Sequence, residues 1–320
     1  MTVTAGMPER ELRLSPRRRR IKKIFCNWQL YLFLLPTVAY FLIFRYYPMY
    51  GLQIAFRNYK AAKGIWGSQW VGLDNFTFFF KSTVAARVIW NTLYLNILFI
   101  ITGTLMSLAL AIMLNEIRSR SFVRVSQTFM LLPYYLSWVV IAYMLQAVFS
   151  NKNGLMNNIL TLFGQKRISW YTRADLWPAI LVIMRMWKGA GMNAIIFLAA
   201  ITGIDESIYE AAMIDGATRG QRIRRITVPL IMPTVTIMTL LSIGKIMYGD
   251  FGMVYALIGD NGVLYETTDI IDTYVFRVLR QTGDPSQAMA IGLFQSVIGF
   301  LMVYGSNTLV KRKFGDGALF

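Results

Sequence analysis

Histidine is absent from this 320-residue chain, and cysteine occurs once, at Cys26. One thiol forms no intramolecular disulfide, and one thiol without imidazoles gives no zinc ligand set. No G-x-x-x-x-G-K-[ST] string occurs, so the chain does not hold ATP in a P-loop. A nucleophile elbow is also missing, and with it any plausible catalytic set for a membrane enzyme. Acid is scarce, with 16 Asp and Glu against 33 Lys and Arg, a net charge of +17. In a soluble chain such an excess points to nucleic acid. Here the basic residues fall in short segments between apolar runs, with no nucleic-acid-binding motif among them, so nucleic acid is excluded as a partner. No repeat of 20–50 residues and no low-complexity tract is present.

What the chain has is apolar length. Its hydrophobic fraction is 56% and its mean hydropathy +0.47, above the ordinary globular range. Six stretches are long enough to cross a bilayer, which takes about 20 helical residues: Trp28–Phe44, Thr92–Leu114, Ser126–Phe149, Leu176–Ile201, Ile231–Gly249 and Ala288–Val310. An even number puts both termini on one side. Segments 1–27, 115–125, 203–225 and 311–320 carry 18 Lys and Arg, whereas 51–91, 150–175 and 259–287 carry 11 over more residues. The positive-inside rule then places both termini and the 203–225 segment in the cytoplasm. The run Arg17–Lys23 anchors the first span against anionic headgroups. No small-residue cleavage site follows that span, so it is expected to be retained. The expected organisation is a basic cytoplasmic tail over 1–27, a six-span membrane domain over 28–310 and a short cytoplasmic tail over 311–320. The longest outer loop, Gly51–Asn91, is rich in Trp and Phe and is expected to lie partly along the membrane surface.

Between the fourth and fifth spans the sequence is polar and punctuated. Ser207 and Glu210 have capping-box spacing, which predicts a helix start. Gly216 stands where a helix ends in the left-handed conformation, and Thr218 with Gln221 repeats the capping spacing, so a second helix runs toward Pro229. The expected result is an elbow of two short helices over about 203–230. The string Glu210-Ala211-Ala212, then Asp215-Gly216-Ala217, then Val228-Pro229-Leu230 and Pro233, resembles the EAA loop of permease subunits of bacterial ATP-binding-cassette (ABC) importers. Leu34-Leu35-Pro36, Tyr47-Pro48-Met49-Tyr50-Gly51-Leu52 and Trp70-Val71-Gly72-Leu73-Asp74-Asn75-Phe76 resemble the sugar-importing branch, especially permeases for complex oligosaccharides.

The resemblance implies an all-α membrane protein of the type I importer permease fold, with six transmembrane helices and a cytoplasmic coupling loop. It also implies that Glu210, Ala211, Ala212, Asp215, Gly216 and Ala217 contact an ATPase. The implied partners are a second homologous permease, two ATP-binding-cassette ATPase subunits, an extracytoplasmic solute-binding protein and membrane lipid. ATP and Mg are bound by the ATPases, and this chain carries no cofactor. The implied location is the bacterial cytoplasmic membrane. An ion-coupled carrier or channel without an ATPase is the rival reading, suited to charges within the spans; the protruding elbow argues against it.

Polar residues inside spans are candidates for the substrate path, since lipid penalises them. Arg185 and Lys188 lie three residues apart on one helix side, with Gly189, Gly191, Met192 and Asn193 close by. They are expected either to snorkel to the interface or pair with an acid of the partner permease, or to line the pathway and meet acidic or heavily hydroxylated sugar. Gly189 and Gly191 are expected to leave room beside them. Lys245 and Asp250 are expected to form a local charge pair. Asn96 joins the path candidates, as do aromatics able to stack on sugar rings: Tyr94, Trp138 and Trp187, with Tyr134 and Tyr135 weighed beside them. Gly103, Ser107 and Ala111 form a small-residue stripe expected to pack within the subunit.

Overall fold

The computed structural model describes residues 27–314. The basic tail with Arg17–Lys23 and Cys26, and the last residues from 315 on, lie outside them. The chain divides into two units, Met1–Ile54 and Ala55–Phe320.

In the first unit, helix α1 spans Trp28–Phe41 around Pro36, followed by a wide turn over Leu42–Tyr46 that carries Arg45 and a tight helical stretch over Tyr47–Phe56. These make one 29-residue apolar helix, longer than the run to Phe44 that composition suggested. Its large side chains, such as Phe33, are exposed. In lipid that exposure carries no penalty.

The second unit opens with a two-residue hairpin, β1 (Arg57–Asn58) against β2 (Gln69–Trp70), in the register Arg57↔Trp70. The Arg57 guanidinium donates to the Ser68 carbonyl at 2.9 Å and lies over the Trp66 and Trp70 rings. Helix α2 (Asp74–Lys81) follows. The stretch 57–81 is thus folded.

The long helices come next: α3 (Thr83–Glu116), α4 (Arg120–Tyr135), α5 (Trp138–Phe149), the short α6 (Leu155–Leu162) and α7 (Trp177–Thr202). The most extensive helix pair is α3 with α7. Ser107 and Ala111 are fully buried there, and Ala111 packs in one cluster with Ala194 and Phe197 of α7. Ser107 and Ala111 of the small-residue stripe therefore pack within the subunit, whereas Gly103 faces open space.

The run Ser126–Phe149 is not one straight span. Pro133 lacks the N–H that would close its turn. Leu136 is extended, and the Ser137 hydroxyl accepts from Val140 N at 3.3 Å to start α5. Helices α4 and α5 consequently meet at 96°. Gly191 of α7 lets that helix pack closely on α4, because a Cβ there would overlap the Met130 carbonyl. It is a close-packing glycine and leaves no room for a ligand. Gly189 has open space before it.

Beyond α7 come α8 (Glu206–Ile214), α9 (Arg219–Arg222), α10 (Val228–Ile243), α11 (Phe251–Ile258), α12 (Ile271–Thr282) and α13 (Pro285–Phe314). The fifth apolar run stops being helical at Ile243 instead of reaching Gly249. Turns over 244–247 follow it, and the Gly249 N–H donates to the Asp272 carboxylate at 2.7 Å. A Cβ at Gly249 would displace the tip of the Ile270 side chain. Burial pushes the Asp272 carboxyl above the usual carboxylate range, against the backbone N–H of Gly249 that favours its charge.

Three apolar clusters hold the unit. One joins Leu95, Ile141, Trp177 and Met253; a second joins Phe79, Val88, Tyr274 and Ile291; the third surrounds Ala111, Phe197 and Ile231. Many other large apolar side chains, Leu105, Phe129 and Phe300 among them, remain exposed and suit lipid or another membrane subunit.

Candidate functional site

A cavity of about 700 Å³ opens between α3, the α4–α5 break, α7, α10 and the bend after α10. Each helix contributes one stripe. From α3 come Asn96, Gly103 and Thr104; from α7 come Arg185, Lys188, Gly189 and Asn193; from the breaks come Tyr134, Trp138, Lys245 and Asp250. The spacing 185, 188, 189 and 192 marks one face of α7.

The two cations on that face differ in their engagement. Lys188 Nζ donates to the carbonyls of Pro133, Tyr134 and Leu136 at 3.3, 2.7 and 2.5 Å. An ammonium has three N–H donors, and here all three meet the C-terminal end of α4. Pro133 O also accepts from Leu136 N at 3.2 Å. The carbonyls of Tyr134 and Leu136 lie where α4 stops and its own donors run out, and the positive charge also complements the end of the helix dipole. Tyr134 and Trp138 flank the ammonium, with ring centroids at 5.7 and 5.3 Å. Lys188 thus closes the break in the third apolar run.

Arg185 pairs with Asp250 through Nη1 and Oδ2. The pair is internal, which corrects the expectation of a partner-permease acid or of two uncompensated cations. It also corrects the expected Lys245–Asp250 pair. Lys245 lines the same cavity, is exposed and has no ion-pair partner among the described residues.

Among the other path candidates, Asn96, Asn193 and Trp138 lie in the wall, while Tyr94 and Trp187 do not. Tyr94 sits two residues from Asn96, about 200° around the helix. It stacks on Trp90 at 6.3 Å on the outer surface. Trp187 is turned about 100° from Lys188 and is 42% exposed. Tyr134 belongs to the wall, whereas Tyr135 is exposed outside it.

The elbow is the second site. Its first helix, α8, is capped by Asp205, whose Oδ1 accepts from Ser207 N at 3.0 Å. Ser207 is thus inside the helix, and the expected Ser207–Glu210 capping box is absent. The backbone N–H holds the Asp205 carboxyl below its ordinary pKa. Glu210 is exposed, and its side chain makes no hydrogen bond or ion pair among the described residues. The helix ends as its sequence suggests: Gly216 has φ +76°, Gly216 N donates to Met213 O at 3.1 Å and Ala217 N to Ala212 O at 2.9 Å. These two bonds form a Schellman closure.

The Thr218–Gln221 capping box is present, with Thr218 N donating to Gln221 Oε1 at 2.8 Å. Its helix is not short, however. Through a wide turn over Ile223–Thr227 it continues into α10, giving one helical segment Arg219–Ile243. The wide turn absorbs Pro229, whose ring would crowd the carbonyl four residues back. Tyr209, which sequence reasoning passed over, bonds through its hydroxyl to the buried Thr227 at 2.9 Å. It ties α8 to the base of α10. The exposed surface of α8 carries Glu210, Ala211, Ile208, Met213 and Ile214, the last 87% exposed.

A bundle of long apolar helices around a polar cavity, with a capped elbow between two of them, defines a multi-pass membrane transport subunit. Residues 103–315 match the family described as binding-protein-dependent transport system inner membrane component. The chain is 37% identical to protein LplB of Bacillus subtilis (strain 168) over 291 residues, 91% of each chain. It is 34% identical to the polygalacturonan/rhamnogalacturonan transport system permease protein YteP of the same organism, covering 95% of this chain and 94% of that one.

Among solved structures, it resembles a bacterial ABC transporter involved in the import of the acidic polysaccharide alginate. The TM-score is 0.85 at 36% identity, over 92% of this chain and 99% of that one. A structure of bacterial alginate ABC transporter in complex with alginate pentasaccharide-bound periplasmic protein gives 0.83 at 36% identity, over 91% and 96%. The chain belongs to the binding-protein-dependent transport system inner membrane component family. It is a permease subunit of an ABC importer with the type I permease fold, and it is not itself an enzyme.

Proposed function

We propose that this permease forms half of a translocation path for acidic oligosaccharides, and that its elbow docks onto an ATPase subunit. The observation that carries the cargo reading is the charge of the cavity wall. Arg185, Lys188 and Lys245 face one acid, Asp250, amid amides and aromatic rings. A net positive wall of low polarity favours carboxylates, while Asn96 and Asn193 suit hydroxyls and the rings suit apolar sugar faces. Alginate and polygalacturonan, named for its relatives, both carry carboxylates. The second permease, two ATPases and an extracytoplasmic binding protein complete the assembly; the alginate transporter bound to its periplasmic protein supports the last of these.

The cargo reading is tested with the assembled importer in vesicles, using a galacturonate trisaccharide and its methyl ester. Lys245→Gln is expected to lower uptake of the acid about fivefold, an effect of roughly 1 kcal/mol, and to leave the ester unchanged. Comparing variant with wild type separates the path from the binding protein, which is the same in both. Equal loss for both sugars, or no loss, rejects the acidic path.

The Lys/Arg distribution supports cytoplasmic termini and a cytoplasmic elbow. In a Cys26→Ser background, Arg219→Cys is expected to resist an impermeant thiol reagent in intact cells and react in inverted vesicles, with Lys152→Cys doing the opposite. Both positions are exposed. The reverse pattern rejects this orientation.

A further inference from the structure

The two oxygens of Asp250 do different things. Oδ1 accepts from Met253 N at 3.0 Å and caps α11, while Oδ2 holds Arg185 at the cavity wall. Of the two cations on that face of α7, Lys188 has committed its N–H donors to backbone carbonyls. Arg185 has not. A guanidinium has five donors; its Nη1 meets Asp250, and the side chain remains 46% exposed, against 21% for that of Asp250.

We infer that Asp250 is a built-in counter-ion that competes with substrate carboxylates for Arg185 and thereby sets the selectivity of the path. This rests on the acidic-oligosaccharide reading. An unpaired guanidinium at membrane depth is costly, so the empty path needs an internal anion. A carboxylated sugar supplies the same chemistry from outside. When it takes Arg185, Asp250 keeps its cap on α11 through Oδ1, so the exchange leaves the fold intact. A neutral sugar has nothing to exchange and must leave the ion pair in place. The competition also weakens retention, which conduction requires, because a site that binds its cargo too well does not release it. Asp250 is a specificity-determining residue that acts through Arg185.

The test is equilibrium binding, by calorimetry, to the importer isolated with its partner permease and ATPases but without its binding protein. The probes are the galacturonate trisaccharide and its methyl ester. Asp250→Asn keeps an oxygen for the cap and removes the competing charge. It is expected to tighten binding of the acid about fivefold, the scale of a partly exposed ion pair occupying the competent site, and to leave the ester unchanged. Asp250→Ser, which also preserves a capping oxygen, is expected to act alike, so a folding defect in one variant does not decide the matter. If wild type prefers the acid and both variants bind it no more tightly, the counter-ion role is wrong while the acidic reading survives. If wild type does not distinguish acid from ester, both fall.

Discussion

Replacing Gly216 with valine is expected to reduce uptake about five- to thirtyfold while leaving the subunit in the membrane. Gly216 has φ +76°, and no atom lies within 4 Å of where its Cβ would stand. The penalty is therefore backbone strain alone, on the order of 1–2 kcal/mol for an L-residue in the left-handed region and worse for a β-branched one. That strain falls on the Schellman closure joining Met213 and Ala212 to the following residues. Relaxing it turns α8 relative to α9, the two helices whose relation the elbow fixes.

A bias of that size shifts a two-state equilibrium by roughly five- to thirtyfold. Substrate-stimulated ATP hydrolysis should fall along with uptake, whereas the apolar segments that direct insertion are unchanged. Gly216→Asn serves as control, since asparagine tolerates the left-handed conformation. Normal coupled hydrolysis with valine at 216 would remove the elbow from force transmission. Glu210→Ala is a companion test, and a cleaner one than its sequence setting suggests. The Glu210 side chain caps nothing, so its loss reports on the partner surface alone.

These elbow features were readable because their determinants are local. A glycine needing positive φ, and a Thr–Gln pair three residues apart, declare themselves within one helical turn. The same locality explains the misplaced start of α8. Asp205 and Ser207 are both good N-caps two residues apart, and spacing favoured the one with an acid three residues on.

The cavity was less legible. Its charges were found by their cost in lipid, but their partners were not. Asp250 lies 65 residues from Arg185, and only the bends at 136–137 and 244–249 bring the walls together. The partners of Lys188 are backbone carbonyls, which have no sequence signature. Tyr94 and Trp187 fall outside this cavity wall, because composition names a residue as inside a span without saying which side of the helix it occupies.

The division of labour between the two α7 cations has the largest structural consequence. Lys188→Met keeps the length and apolar stem of the side chain and removes the charge that holds three carbonyls at the end of α4. Tyr134 and the part-buried Leu136 then lose a donor, while Pro133 O keeps the N–H of Leu136. An acceptor left unsatisfied away from water costs about 1–3 kcal/mol. Water from the cavity is expected to recover part of that, leaving a loss of roughly 2–4 kcal/mol. The thermal midpoint should then fall by roughly 3–6 °C, at about 1.5 °C per kcal/mol for 320 residues. Uptake of galacturonate trisaccharide and of its methyl ester should fall together, because the 96° break that shapes the wall loses its brace.

The double variant Arg185→Gln with Asp250→Asn behaves oppositely. It exchanges an ion pair for two neutral amides of similar shape, so the melting temperature should stay near that of wild type while the acid loses its advantage over the ester. Should Lys188→Met melt like wild type and lose only the acidic sugar, Lys188 would be a substrate ligand and its contact with the broken helix incidental. A stable fold with selectivity gone at 185, set against a destabilised fold with both sugars affected at 188, is the pattern that separates a ligand from a brace.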